Sequence, residues 1–281
     1  MKKAVLIVGI PVLWLALAAV LLHQYTRGCE RETARAVTIP IQEKILSPPP
    51  AAAEAEAPVH ILSTKDICVL TYFDGGGKMA GTPGKISMAN KKRYCEMHNY
   101  NFFEETISLD PERPASWVKL LYVQRLLMDP MCEWVFFMDA DALITNMSVT
   151  MESIVAGRSE DIFYTKDLAA YANGGVFIMR RTPYVLTFIT RVYAEVAFLN
   201  HVWWEQAAIQ NILLKNDSRD LGRVARLPQR TMNSFWPLAK ERSDVGWRKG
   251  DFMVHFAGRR SEKEPWNVTE FIDAHKEDIL F

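Results

Sequence analysis

Two aspartates, separated by one residue, end an apolar run in the middle of the chain. Trp134 to Met138 lead directly into Asp139-Ala140-Asp141, and apolar residues resume at Ala142. Carboxylates at alternate positions beyond a strand end can reach one hard cation, and Mg²⁺ and Mn²⁺ prefer such oxygen ligands. An ion held there can neutralise the charge that develops on a departing diphosphate. The spacing therefore predicts a divalent metal site at Asp139 and Asp141.

A solvated pair of aspartates gives the same letters, so the chemistry depends on context. Two reactions use an apolar strand that ends in D-x-D. In haloacid dehalogenase-like phosphatases an aspartate accepts a phosphoryl group, but that motif stands near the start of the domain, with Thr or Val at the position of Leu143. In sugar transfer from a sugar nucleotide, the motif follows an N-terminal nucleotide-binding half. The position of Asp139 within the chain favours sugar transfer.

Strand and helix patterns alternate before the motif. "ICVLTYF" (67–73) and "YNFFEETIS" (100–108) indicate strands. Thr82-Pro83 opens one helical pattern, and Ser116 is positioned to cap another, "WVKLLYVQRLLM". This alternation predicts βαβ units and an α/β fold with a mostly parallel sheet. In such sheets ligands bind beyond the carboxyl ends of the strands, where Asp139 and Asp141 are expected.

The N-terminal segment predicts a membrane anchor and a spacer. Lys2 and Lys3 precede an uncharged apolar run over 4–22, long enough to cross a bilayer core of roughly 30 Å. A cleavable signal peptide is the alternative, but its apolar region would be shorter. "SPPPAAAEAEAP" suits an extended spacer. We therefore expect a cytosolic tail over 1–3, a transmembrane anchor over 4–22, a flexible stem over 23–65 and a catalytic domain over 66–281.

Charge and cysteine usage exclude some classes of partner. The chain has 33 basic and 33 acidic residues, so no charge excess indicates a nucleic-acid partner. The cysteines form no C-x-x-C pair, which argues against a zinc or redox motif and leaves three disulfide pairings open if all four pair. They are Cys29, Cys68, Cys95 and Cys132. Sequons at Asn146, Asn216 and Asn267 all follow the apolar run and favour a lumenal body.

Several segments around the motif resemble glycosyltransferase family 34, which includes fungal α-galactosyl- and α-mannosyltransferases and plant xyloglucan xylosyltransferases. They are "NKKRYCEMHNYNFF", "SWVKLLYVQRLLMDPMCEWVFFMDADALITNM", "NGGVFIMRR", "WWEQAAI" and "MVHFAGR", in this order from about Ile67 to Arg260. The resemblance implies a GT-A type nucleotide-sugar-binding domain and a type II Golgi membrane protein. It also implies a Mn²⁺-dependent transferase that retains the configuration at the transferred sugar.

The resemblance assigns roles to particular residues. It makes Asp139, Asp141 and His255 the metal ligands, and it places Glu205 and Gln206 at the reacting sugar as catalytic residues. Arg260 stands where relatives carry a lysine that faces the diphosphate, and a guanidinium can bind it in two-pronged fashion. The nucleotide-sugar site implied in this way comprises Thr71, Lys119, Asp139, Ala140, Asp141, Asn173, Gly174, Gly175, Gly258 and Arg260.

Each of these residues also has a plain structural interpretation. A histidine beside apolar residues is often a core residue, and a glutamate at a helix start is often a solvated group favoured by the helix dipole. Asn173-Gly174-Gly175 is compatible with an ordinary turn, and Lys119 with a surface charge. Trp203 and Trp204 would line an acceptor groove or belong to the core.

We therefore expect a Golgi enzyme that transfers galactose, mannose or xylose from UDP-galactose, GDP-mannose or UDP-xylose to a glycan acceptor. The anchor over 4–22 would hold it in the membrane with its catalytic domain in the lumen. The sequence leaves open a homo- or hetero-oligomer. Two alternatives remain at this point: a metal-dependent D-x-D phosphohydrolase, and a catalytically inactive glycan-binding membrane protein.

Overall fold

The computed structural model describes residues 63–76, 79–167, 171–215, 220–236, 245–257 and 268–280. All of them belong to the compact unit His60–Phe281. A short 3₁₀ helix over Thr64–Asp66 opens this part of the chain, so regular structure begins slightly before the expected domain start at 66. The predicted anchor and nearly all of the predicted stem lie outside the described residues. In the described part, no helix combines the length and the apolar character that a membrane crossing requires.

The described strands form a larger and a smaller sheet. In chain order they are β1 (Ile67–Tyr72), β2 (Asn101–Glu105), β3 (Trp134–Met138), β4 (Ala142–Ile144), β5 (Ile162–Thr165), β6 (Val176–Arg180), β7 (Val224–Leu227), β8 (Ser234–Phe235) and β9 (Met253–His255). The larger sheet has the order β2-β1-β3-β6-β5-β7. Strand β6 runs antiparallel to β3 and β5, and the remaining pairs are parallel. The sheet is therefore mostly parallel, as predicted.

Helices connect the parallel strands, as such crossovers require. The described helices are α1 (Thr82–His98), α2 (Ala115–Met128), α3 (Met151–Val155), α4 (Pro183–Tyr193), α5 (Trp204–Leu214), α6 (Gln229–Met232), α7 (Val268–Ala274) and α8 (Lys276–Leu280). The predicted cap at Ser116 is wrong, because Pro114 occupies the cap position of α2 and Ser116 lies in the first turn. Proline fixes its own φ near the helical value, so the chain enters the helix before it reaches the serine.

Strand β3 is the centre of the core. All of its residues are buried, and alternate side chains point to opposite faces of the sheet. Val135 and Phe137 pack on the face that carries Trp117 of α2, whereas Phe136 and Met138 pack on the other face. A disulfide between Cys68 and Cys132 joins β1 to the segment before β3. The disulfide thus fixes the amino end of β3, and the buried side chains hold the strand as far as Met138, just before Asp139.

The smaller sheet explains why apolar residues return after the aspartates. Its order is β4-β9-β8, with β4 antiparallel to β9 and β8 parallel to β9. Ala142 to Ile144 leave the larger sheet and pair with Met253 to His255, so that Ala142 lies opposite His255. The segment Asp139-Ala140-Asp141 is therefore the turn by which the chain passes from one sheet to the other.

Candidate functional site

Three side chains with metal-binding atoms meet at this turn. One ligand atom from each of Asp139, Asp141 and His255 lies within 4.8 Å of the others. The His255 Nε2 atom is 3.3 Å from Asp141 Oδ1. The backbone fixes this approach, because the Phe256 N–H donates to the Asp141 carbonyl at 3.0 Å. The register of the smaller sheet thus brings the histidine to the two aspartates.

This donor set suits a divalent cation of intermediate hardness. Two carboxylates and one imidazole match Mn²⁺ and related ions better than the all-oxygen sites typical of Ca²⁺. The His255 side chain is 2% exposed, so its ring is fixed by the surrounding residues rather than by solvent. The residues that are present therefore fit a metal of this kind, although the identity of the metal stays a prediction.

Gly175 makes room for these ligands. A Cβ atom added at Gly175 would lie 2.5 Å from His255 Cε1 and 2.6 Å from Asp139 Oδ2. Contacts this short force a shift in the neighbouring atoms. The Gly175 carbonyl also accepts a hydrogen bond from the Asp139 N–H at 2.7 Å. The glycine is thus required here for space, and its backbone supports the start of the turn.

Lys119 joins the candidate metal site to Glu205. Its ammonium lies 3.1 Å from Asp139 Oδ1 and 2.9 Å from Glu205 Oε1, and it donates to the Gly174 carbonyl at 2.8 Å. Burial alone would lower the pKa of this ammonium, but the carboxylates of Asp139 and Glu205 outweigh burial and hold the pKa above its ordinary value. Lys119 is buried and doubly paired, so it is not the surface charge that was the alternative.

Glu205 is a buried carboxyl in the first turn of α5. Its side chain is 5% exposed, which excludes the solvated helix-start interpretation. Burial raises the pKa of this carboxyl, and the Lys119 ammonium opposes the rise. The Ser116 hydroxyl is close enough to lower that pKa, yet neither Ser116 Oγ nor Glu205 Oε2 makes a regular hydrogen bond with a described residue. Glu205 therefore combines a fixed oxygen on Lys119 with a second oxygen that still has hydrogen-bonding capacity.

The residue before Glu205 has an uncommon backbone conformation. Trp204 has a φ of 43°, in the left-handed region that bulky residues rarely adopt. Such a residue costs of the order of 1–3 kcal/mol and persists only where the surrounding structure imposes it. Trp204 packs against the core, whereas the neighbouring Trp203 is 40% exposed. The two tryptophans therefore differ: one anchors the start of α5 and the other faces solvent beside it.

Gln206 and Asn173 bind backbone groups of the predicted glycine segment. The Gly174 N–H donates to Gln206 Oε1 and the Gly175 N–H donates to Asn173 Oδ1, each at 2.9 Å. The side-chain amides of Gln206 and Asn173 both donate to Asp167 Oδ2, at 3.1 and 2.9 Å. In the described structure these amides therefore hold the segment in place, and their contact with a donor sugar stays a prediction.

Thr71 and Ala140 take part through the backbone of the turn. Thr71 is fully buried, and its hydroxyl donates to the Met138 carbonyl at 3.0 Å. The Ala140 side chain packs against the core of the smaller sheet, and its carbonyl accepts a hydrogen bond from Ser87 at 2.6 Å. Both residues thus support the end of β3. Nucleotide contacts at both residues stay predictions.

Sequence reasoning missed a polar face of α1 whose side chains bind the backbone of the Asp139-Ala140-Asp141 turn and of β4. Lys91 Nζ donates to the Asp139 carbonyl at 3.1 Å and to Ser87 Oγ at 2.6 Å. Asn90 exchanges hydrogen bonds with the carbonyl and the N–H of Ile144, at 2.9 and 2.8 Å. These three residues are 0–1% exposed. Their spacing, at positions i, i+3 and i+4 of one helical face, was the signal that the segment "SMANK" offered.

Two predicted nucleotide-sugar residues, Gly258 and Arg260, lie outside the described residues, as do the sequons at Asn216 and Asn267. Asn146 is described, and its amide donates to the Gly250 carbonyl at 3.0 Å. The sequence left the pairing of the cysteines open. The structure shows a disulfide between Cys68 and Cys132, and Cys95 is a buried free thiol.

A solved structure shares this fold. The glycosyltransferase involved in the glycosylation of the major capsid of PBCV-1 superposes with a TM-score of 0.57 and 18% identity, over 75% of this chain and 98% of that chain. The fold is thus the GT-A-like α/β fold of glycosyltransferases, with its mixed, mostly parallel sheet.

Relatives with similar sequences are named as glycosyltransferases. Probable glycosyltransferase 3 of Oryza sativa subsp. indica is 25% identical over 205 residues, which are 60% of this chain and 44% of that protein. Probable alpha-1,2-galactosyltransferase gmh2 of Schizosaccharomyces pombe is 27% identical over 239 residues, 70% of this chain and 67% of that protein. The chain thus spans about half to two thirds of the length of these curated relatives.

A protein-family model also matches the chain. It covers residues 63–158 and 151–266, which together are more than half of the chain. These residues include the turn with its two aspartates, His255, Lys119 and Glu205. The resemblance predicted from the sequence is confirmed, and the chain belongs to the galactosyl transferase GMA12/MNN10 family, which is glycosyltransferase family 34.

Proposed function

We propose that the chain transfers a hexose or pentose from a nucleotide sugar to a glycan hydroxyl, with retention of configuration and with Mn²⁺. One observation carries the proposal. Lys119 joins the predicted metal ligand Asp139 to the buried carboxylate of Glu205. A nucleotide-sugar donor has two parts that the site must bind at the same time: its diphosphate, which needs a cation, and its sugar, which needs a carboxylate. Family membership supports the same reaction class.

Asp139, Asp141 and His255 would hold the ion. When bound, Mn²⁺ supplies positive charge that stabilises the departing diphosphate. Lys119 keeps the Asp139 carboxylate oriented through Oδ1, on the side away from Gly175 and His255. The two-residue spacing and the Ala142–His255 pair then decide where the three ligand atoms point. Pre-arranged ligands of this kind lose little freedom when the ion and the nucleotide bind.

Glu205 would act at the anomeric carbon of the donor sugar. Retention follows if its carboxylate attacks that carbon and expels the nucleoside diphosphate. The acceptor hydroxyl then attacks the same carbon, displaces the carboxylate and gives its proton to the diphosphate. Retention also follows if the carboxylate only stabilises an oxocarbenium-like sugar while the acceptor enters on the face that the diphosphate leaves. Burial of Glu205 keeps water from competing with the acceptor. Gln206 would support the sugar from the next position, because Gly174 and Asp167 fix its amide.

The donors that we propose are UDP-galactose, UDP-xylose and GDP-mannose. Names of relatives guide the choice of galactose and xylose: one is a probable alpha-1,2-galactosyltransferase, and another, from Arabidopsis thaliana, is xyloglucan 6-xylosyltransferase 4. GDP-mannose is included because the family resemblance implies it. For the acceptor, the exposed ring of Trp203 stands two residues before Glu205. A flat aromatic face binds the apolar face of a sugar ring, so we assign Trp203 to the acceptor side.

We further propose that the protein is a type II Golgi membrane protein. The apolar run over 4–22 is the proposed anchor, and the three sequons that follow it favour a lumenal body. The Cys68–Cys132 disulfide supports the same side of the membrane, because disulfides persist in the secretory pathway and are rare in the cytosol.

The test is an assay of the full-length chain in detergent with a panel of nucleotide sugars, Mn²⁺ and neutral oligosaccharide acceptors. We expect nucleotide release that depends on one donor and one acceptor class, with an α-linked product from an α-linked donor. The Glu205→Gln variant should lose most of this activity. Phosphate release from simple phosphate esters would indicate the phosphohydrolase, and glycan binding without turnover would indicate an inactive lectin-like protein; either result overturns the proposal.

A further inference from the structure

A chain of buried hydrogen bonds leads from the glycine segment to His255. His255 Nδ1 lies 2.8 Å from Asn233 Oδ1, and Asn233 Nδ2 lies 3.0 Å from Asn173 Oδ1. Asn173 Oδ1 in turn accepts from the Gly175 N–H at 2.9 Å. Asn173, Asn233 and His255 are all at most 4% exposed, so these contacts are made away from solvent.

The Gly175 N–H fixes the donor and the acceptor in each hydrogen bond of this series. A backbone N–H can only donate, so the Asn173 atom that faces Gly175 must be the oxygen. The other end of the amide then faces the Asp167 carboxylate as a donor, at 2.9 Å. Reversing Asn173 would set a donor against a donor and an acceptor against an acceptor. Such a pairing leaves buried groups without partners, which is unfavourable because each group has lost its hydrogen bonds to water. Asn173 therefore has one orientation.

That orientation determines Asn233 and then His255. Asn173 Oδ1 requires a donor, so the Asn233 atom facing it must be the amide nitrogen, which also donates to Thr165 Oγ1 at 2.9 Å. The Asn233 oxygen consequently faces His255 Nδ1 and must receive a proton from it. With the proton on Nδ1, the neutral ring carries its lone pair on Nε2, the atom that lies 3.3 Å from Asp141 Oδ1.

We propose that Asn233 is a positioning residue that fixes the tautomer of His255 so that Nε2 offers its lone pair to the metal. The relation to Mn²⁺ rests on the proposed function, whereas the tautomer itself does not. A partner on the far ring nitrogen sets ring orientation and tautomer at metal sites, and its loss typically lowers metal affinity by about 10–100-fold. Here the partner is itself oriented, through Asn173, by a glycine that also borders the site.

The same device orients Gln206. The Gly174 N–H fixes the Gln206 oxygen, so the Gln206 amide nitrogen faces Asp167 Oδ2, the atom that also receives the Asn173 amide. Two consecutive backbone N–H groups, at Gly174 and Gly175, thereby orient one residue at the sugar end and one residue at the metal end. The segment Asn173-Gly174-Gly175 thus aligns both halves of the site.

The direct test is long-range proton–nitrogen NMR of the metal-free full chain in alkaline buffer, where imidazoles are neutral. The His255 signals are identified by their loss in His255→Ala. We expect a protonated Nδ1 and a lone pair on Nε2. A protonated Nε2 would overturn the proposal. This measurement needs neither Mn²⁺ nor activity, so it is decided separately from the proposed function.

Variants of Asn233 test whether the tautomer of His255 affects Mn²⁺ affinity. Asn233→Leu keeps approximate size but removes the acceptor, so we expect a mixture of His255 tautomers and Mn²⁺ affinity, by electron paramagnetic resonance, about 10–100-fold weaker. Asn233→Asp keeps an acceptor at Nδ1 and should retain one tautomer and bind Mn²⁺ more tightly than Asn233→Leu, but it loses the donor that faces Asn173 Oδ1 and should be less stable than wild type. The control is Tyr94→Phe, which removes a partly buried hydrogen bond to the Val149 carbonyl and should lower stability alone. Unchanged affinity in Asn233→Leu contradicts the proposal, and if that variant does not fold, the wild-type tautomer decides. Wild-type protein with the expected tautomer and no Mn²⁺ binding would instead refute the proposed metal.

Discussion

Ala142 lies directly opposite His255 in the antiparallel pair of β4 and β9, and this pair places the histidine ring beside Asp141. Side chains alternate along a strand, so a slip of one residue in this register would turn His255 to the other face. The candidate metal centre therefore depends on the smaller sheet as much as on the two aspartates.

Replacing His255 with alanine tests the third ligand. We expect the Mn²⁺ concentration for half-maximal activity to rise by at least about tenfold. The buried position of His255 adds a loss of stability, commonly about 2 kcal/mol or more, which an exposed strand end would not show. A loss of stability in His255→Ala therefore cannot distinguish a metal ligand from a core residue, whereas a higher Mn²⁺ requirement can.

The matched control for this variant is His98→Ala. His98 is a partly buried histidine whose Nε2 lies 2.7 Å from the Met147 carbonyl, away from the turn. Its replacement should lower the melting temperature and leave the Mn²⁺ requirement unchanged. Equal Mn²⁺ requirements in the two variants would show that His255 is structural.

The two glycines before β6 should separate the metal end of the site from the sugar end. In Gly175→Ala the new methyl group meets His255 and Asp139 Oδ2 within 2.6 Å, so Mn²⁺ affinity should fall. In Gly174→Ala it meets Glu205 Oε1 at 3.1 Å and Gln206 Cβ at 3.2 Å, so kcat should fall while the Mn²⁺ requirement changes little. Steady-state kinetics over a series of Mn²⁺ concentrations would measure both effects. The same response in both variants would contradict this division of the site.

Because of Lys91, we expect the free energy of unfolding of the metal-free protein to increase with pH. Burial lowers the pKa of its ammonium to about 7, against the opposing effect of the Asp141 and Asp139 carboxylates, whereas the ordinary value is 10.5. Between these values the unfolded chain binds a proton that the native protein has lost, so the free energy of unfolding increases with pH. The gain between pH 7 and pH 9 should be about 2 kcal/mol.

Urea unfolding of Lys91→Met and of wild type at these two pH values checks the sign. The variant should lose the increase, and Lys92→Met, which alters the exposed neighbour, should keep it. A wild-type protein that is no more stable at pH 9 than at pH 7 would mean that Lys91 keeps its proton in the fold.

Glycosylation tests the compartment. We expect glycan on at least one of Asn146, Asn216 and Asn267, and least at Asn146. The Asn146 amide donates to the Gly250 carbonyl and its oxygen accepts from Ser148 Oγ at 2.6 Å, so a glycan there would have to displace these contacts. Endoglycosidase treatment of the chain from eukaryotic cells should increase its mobility, and replacing Asn216 and Asn267 should abolish most of the change. Unchanged mobility together with digestion by protease added to the cytosolic side would reverse the proposed topology.

Sequence alone identified the parts of the site that are local in the chain. Asp139 and Asp141 stand two residues apart behind an apolar strand, and the alternation of strands and helices predicted the mostly parallel sheet. His255, Lys119 and Glu205 came from the family resemblance, since their convergence depends on strand register and helix packing. Their burial and the Lys119 ion pairs were visible only in three dimensions.

The missed residues are polar groups that act on other polar groups. Asn233 meets His255 only because β8 and β9 pair, and an asparagine after a short helix has no local pattern that indicates this. Ser87 and Lys91 lie on the buried face of α1, where periodicity arguments expect apolar residues. The predicted cap at Ser116 was wrong for a different reason: Pro114 occupies the cap position, so the helix starts before the serine.

The most direct test of a metal bridge to the diphosphate is calorimetric titration of the full chain with UDP and GDP, once with Mn²⁺ and once with excess chelator. Asp139, Asp141 and His255 present ligand atoms within 4.8 Å of one another, and we propose that an ion at these atoms joins the protein to the diphosphate. We predict binding of one nucleotide with Mn²⁺ and at least about tenfold weaker binding in chelator or in Asp139→Asn. Equal nucleotide affinity with Mn²⁺ and with chelator would contradict it.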